Sequence, residues 1–70
     1  MNEVKLLDTV ALLKDVPEYG LVKGQVGVAV EELASNVFEI EFCNVQGETL
    51  AMLPIESEFL MILHYDSVAA

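Results

Sequence analysis

The chain has 70 residues, 54% of them hydrophobic, and sets twelve acids against three lysines for a formal net charge of −9. That balance excludes a phosphate-contacting nucleic-acid surface, which needs clustered Lys and Arg to displace counterions, and it disfavours an anionic membrane surface in the same way. A single domain of this size, spanning residues 1–70, buries only about 60% of the surface its unfolded chain exposes, so a mean hydropathy of +0.50 points to apolar surface buried between chains and to a homo-oligomer.

The one cysteine, Cys43, rules out an intrachain disulfide and offers no zinc framework, which suits a reducing, cytoplasmic setting. Glu3 and Asp8 interrupt what a secretory signal would need as an apolar stretch. The longest uninterrupted apolar run, Phe59 to Leu63, is far too short for a membrane span.

In chain order, Met1 to Leu7 reads as a leader and Asp8 to Leu13 as a first strand with Val10 and Leu12 on one face. Leu6, Leu7, Val10 and Leu13 also fall at helical spacing, so periodicity alone leaves strand and helix both open over residues 4 to 13. The β-branched Thr9 and Val10 favour the strand. A long loop follows, in which Pro17 fixes its own φ and extends Val16, while Gly20, Gly24 and Gly27 mark positive φ or close backbone approach. Gly27, inside the alternation Val26, Val28, Val30, predicts a bulge or sharp bend.

The second strand is expected from about Gln25 to Leu33, with Ala34-Ser35-Asn36 as the reversal. In the third, Val37 to Cys43, Phe38, Ile40 and Phe42 alternate with Glu39 and Glu41, the pattern of a half-buried antiparallel strand. Asn44 to Gly47 supplies a hairpin connection with Gly47 left-handed. The fourth strand, Glu48 to Leu53, is expected to stop at Pro54, which cannot donate to a ladder. Pro54 to Phe59 reads as one helical turn with acids early in it, Leu60 to Tyr65 as the fifth strand, and Asp66 to Ala70 as a tail.

These elements predict an all-β fold: a small five-stranded SH3-like antiparallel barrel with a long first loop and one short helical turn before the last strand. The residues Asp8-x-Val10-x-Leu12, then Asp15-x-Pro17-x-x-Gly20-Leu21-x-x-Gly24-x-x-Gly27, then Phe38-x-x-Glu41-Phe42 resemble a domain-of-unknown-function family of short bacterial proteins. That resemblance spans Leu6 to Tyr65 and implies no established activity. Lys23, Gly24 and Gly27 are similar to the KOW motif of ribosomal and transcription-factor barrels. Gln25 and Val28 stand where that motif is often basic, and Ala29 where a larger aliphatic residue is usual, so this likeness implies the bend and the barrel rather than RNA binding.

Successive residues of a barrel strand face opposite ways, yet Leu60 and Ile62 alternate with Met61 and Leu63, and Leu50 and Met52 with Ala51 and Leu53, all apolar. One outward apolar set must therefore be covered. The residues assigned to a self-association patch are Ala51, Leu53, Met61 and Leu63, since exposed apolar patches mark interfaces and two-fold contacts are the commonest form of self-association. Glu18, Tyr19 and Leu21 in the long loop are candidate partner-binding residues, an amphipathic tyrosine being suited to recognition, although Tyr19 folded back as a lid on the core is the competing arrangement.

Chemistry-bearing residues are few. His64, Cys43 and Glu39 or Glu41 would have to serve any metal- or ligand-binding site or small enzyme, and their spacing supplies neither a third orienting group nor an oxyanion site. The glycines have neither the spacing nor the following helix of a P-loop or dinucleotide fingerprint. No cofactor is expected. The functional expectation is a non-enzymatic acidic interaction module that self-associates, serving as an accessory or antitoxin-like subunit for a basic protein, with the small binding protein or enzyme as the alternative. The acids otherwise serve to keep an apolar chain soluble.

Overall fold

The computed structural model describes residues 3–64, and within them five strands form one antiparallel sheet with the order β4-β3-β2-β1-β5. β1 is Thr9–Leu12, β2 Val26–Ala34, β3 Val37–Cys43, β4 Thr49–Glu56 and β5 Leu60–Ile62. Two single turns of 3₁₀-helix complete it: η1, Pro17–Tyr19, in the long loop, and η2, Ser57–Phe59, before β5. Residues 4 to 13 thus hold a strand and not a helix. The end of the expected fifth strand at Tyr65 and the tail Asp66 to Ala70 lie outside the described residues.

With no α-helix among the described residues to cover it, the sheet must bury one face against itself. It does so by curling: Val10, Ala29, Ile40 and Phe42 are all fully buried, which a flat sheet of these strands could not achieve. β4 and β5 stand at the two ends of the strand order and are joined through η2, an arrangement compatible with a small barrel. The concave side gathers Val10 and Leu12 of β1, Ala29 of β2, Phe38, Ile40 and Phe42 of β3, Leu53 and Ile55 of β4 and Leu60 of β5 into one core. Each such large apolar side chain, fully buried, contributes about 1.5–3 kcal/mol.

Val4 joins this core, so packing against the sheet begins ahead of β1. Leu7 N–H donates to the Ala29 carbonyl and Ala29 N–H to the Asp8 carbonyl, continuing the β1–β2 ladder backwards. The chain enters it through a turn in which Asp8 accepts the Lys5 N–H and Leu7 takes a positive φ of 70°.

The glycines divide into two kinds. Gly20, Gly24 and Gly47 have positive φ with open space around them, as turns require. Gly27 does not, and of the bulge or sharp bend expected there the bulge is absent: the β2–β3 register shifts lie between Ala29 and Glu31 and between Glu32 and Ala34. What Gly27 provides is room, since a Cβ there would stand 2.8 Å from the Glu41 carbonyl oxygen, the Ile40 Cγ2 and the Phe42 Cδ1.

β4 also departs from expectation by running through Pro54 to Glu56. Pro54 lies opposite Glu39 on a strand that ladders only with β3 among the described residues. On such an edge a missing N–H breaks nothing, because it can point away from the partner strand. The helical turn accordingly starts at Ser57, three residues later than Pro54.

Candidate functional site

The convex face is set by the same ladders that build the core. With Phe38, Ile40 and Phe42 inward, Glu39, Glu41 and Cys43 point outward, and their register partners carry the face across the sheet. Glu41 lies between Met52 and Val28, Val28 opposite Thr9, and Leu63 donates its N–H to the Thr9 carbonyl. A neighbouring row runs Val26, Ala11, Met61.

The four residues assigned to a self-association patch, Ala51, Leu53, Met61 and Leu63, do not share one side of the sheet. Met61 is 45% exposed and Leu63 shares its outward parity, with Ala11 buried beneath Met61 and Val26 and outside the core cluster. On β4 the parity is reversed. Leu53 is only 5% exposed and Ala51 packs against the core, because both lie opposite inward residues of β3, Ile40 and Phe42. The outward apolar residues of that strand are Leu50 and Met52, the latter 48% exposed.

The loop residues separate in the same way. Val16 and Leu21 exchange two backbone hydrogen bonds, 2.9 and 3.1 Å, which fold the loop into a tight bend around η1. Gly20 closes η1 with φ 70°, its N–H donating to the Pro17 carbonyl. Leu21 is thereby driven into the core at 2% exposure, whereas Glu18 and Tyr19 stand on the outside, Tyr19 at 54%. Tyr19 is no lid on the core; Leu21 and Val16 do that work.

Of the residues considered for chemistry, Glu41 and Cys43 approach each other and His64 stands on another strand's end. Glu39, Glu41 and Cys43 share the convex face of β3, and His64 follows β5 with β2 and β1 standing between. Among the described residues no group of three His, Cys, Asp or Glu side chains could hold a metal ion. The local bonds are structural: Thr49 Oγ1 donates to Glu41 Oε2 at 2.6 Å, and Cys43 Sγ lies 4.0 Å from the same oxygen. No helix among the described residues is long and apolar enough to cross a membrane.

The face divides by charge in a way that residue-by-residue reading of the sequence missed. Its β5–β1–β2 half, Met61, Leu63, Ala11, Thr9, Val26 and Val28, carries no charge. Its β3–β4 half interleaves Leu50, Met52 and Pro54 with Glu39 and Glu41, with Glu31 opposite Glu39 and Glu56 opposite Val37. The signal lies in charge order: all three lysines, Lys5, Lys14 and Lys23, precede β2, and no Lys or Arg follows Lys23. Lys14 reaches only the end of that half, where it lines a recess with Val37, Pro54 and Glu56, its Nζ 3.9 Å from the centre of the Phe59 ring.

No curated protein and no solved structure matches the chain. A family model does, over residues 6–62, a range that takes in the long loop, all five strands and the row Val26, Ala11, Met61. On that match the chain belongs to the family described as Domain of unknown function (DUF4926).

Proposed function

We propose that this chain is a non-enzymatic protein-interaction module that self-associates through the uncharged half of its convex face. The observation that supports it is the row Val26, Ala11, Met61, in which half-exposed Val26 and Met61 flank a buried alanine on the side of the sheet away from the core. Apolar surface of this kind marks interfaces, and a copy-to-copy contact here brings no acid of one chain against an acid of its neighbour within the row. Two copies of so acidic a chain repel at long range, a term that salt screens, so association should tighten as salt is raised.

Light scattering over a dilution series tests it. The parent chain should form a dimer or larger assembly that Met61→Glu dissociates, the substitution placing a charge in the contact while leaving the core untouched. A parent chain that stays monomeric at every concentration, or a Met61→Glu chain that associates as well as the parent, would overturn the reading.

A further inference from the structure

We infer that the other half of the convex face, on β3 and β4, is a docking surface for a basic, amphipathic segment of a different protein. Leu50 and Met52 supply exposed apolar area, and Glu39 and Glu41 stand beside it as register neighbours of Pro54 and Met52.

Charge decides the occupant. Glu31 and Glu39 are direct cross-strand partners, a like-charge juxtaposition that works against the sheet, and no lysine of β2, β3 or β4 relieves it because those strands contain none. A second copy of this chain would set another row of carboxylates against the first. A segment alternating apolar and cationic residues does the reverse: its apolar side covers Leu50 and Met52 while its cations neutralise Glu39, Glu41 and Glu31. Such complementarity steers encounter and fixes register. Glu41 is held for this role, since the Thr49 hydroxyl fixes one carboxylate oxygen while the other accepts no hydrogen bond among the described residues.

The inference extends the interaction module to a second surface and does not depend on self-association, whose residues lie on β5, β1 and the start of β2. The test is an NMR titration of the isotope-labelled full chain with a short peptide alternating leucine and lysine, and with its leucine–glutamate counterpart. The lysine peptide should bind at low salt with its shift changes concentrated on β3 and β4, and the glutamate peptide should not bind. Reversing Glu39→Lys and Glu41→Lys together should weaken binding about tenfold, as two rim ion pairs would. Met52→Gln, which removes apolar character without changing charge, should weaken it severalfold. Shift changes spread over every acidic region, insensitivity to Met52→Gln, equal binding of both peptides, or no binding of either would each overturn the inference. Shift changes confined to Met61, Ala11 and Val26 would overturn it while leaving the self-association surface standing.

Discussion

Gly27 of β2 and Phe42 of β3 face each other in register so closely that a Cβ on the glycine would lie 2.8 Å from the phenylalanine Cδ1. Phe42 is fully buried and among the largest side chains of the core. Its ring occupies the volume that any other residue at position 27 would need, and the hydrogen of Gly27 is what allows β1 and β3 to be bridged by β2 at this point.

Gly27→Ala should therefore cost about 1–3 kcal/mol, the usual range for overpacking. The obstruction includes the Glu41 carbonyl oxygen as well as side chains, so repacking alone cannot relieve it. Combining Gly27→Ala with Phe42→Leu should cost less than the sum of the two single changes, because the shorter side chain frees part of the space. Urea unfolding of the four proteins measures this; strict additivity would mean that the two residues are not in contact.

How much of this was legible in the sequence depends on whether a strand shows its two faces. β3 did so completely, since Glu39 and Glu41 separate from Phe38, Ile40 and Phe42, and the observed strand has the expected bounds. β4 did not, because Leu50, Ala51, Met52 and Leu53 are apolar on both parities. Parity was recoverable only by carrying the strand past Pro54 to Glu56, whose exposed side aligns with Pro54, Met52 and Leu50. Treating proline as a strand end removed that clue, although on an edge strand proline is no such barrier. Leu21 was hidden for a different reason. Its burial follows from the Val16–Leu21 bridge, a contact created by the turn at η1 and not by any periodicity.

The Glu31–Glu39 pair yields a prediction about stability. Opposed like charges on a sheet face destabilise it, and opposite charges there contribute about 0.2–1 kcal/mol. Glu31→Lys should raise the urea midpoint with an unchanged slope, and the gain should shrink in 1 M salt, where the screening length falls to about 3 Å. Glu31→Gln, which removes repulsion without adding attraction, should fall between. An unchanged midpoint for Glu31→Lys at low salt would show that the two carboxylates diverge into solvent.

Pro54 lies on β4, the longer of the two strands that end the sheet among the described residues. β4 ladders only with β3 among the described residues, over Thr49 to Glu56, and an edge of that length with Leu50 and Met52 exposed is a template for unwanted strand pairing. Pro54, the sixth of the strand's eight residues, removes a donor from that edge. Pro54→Val should restore that donor and a β-branched side chain suited to a strand, so the folded monomer should keep its urea midpoint to within about 1 kcal/mol, the span of strand propensities. Its slow aggregation, followed by light scattering and by thioflavin fluorescence at concentrations where the parent chain stays clear, should increase. Adding Met52→Lys to Pro54→Val should suppress that increase by returning a charged guard to the same edge. Pro54→Val aggregating no faster than the parent would indicate that this edge is covered in solution. The cover would then be sought by asking whether Met52→Gln alone releases it.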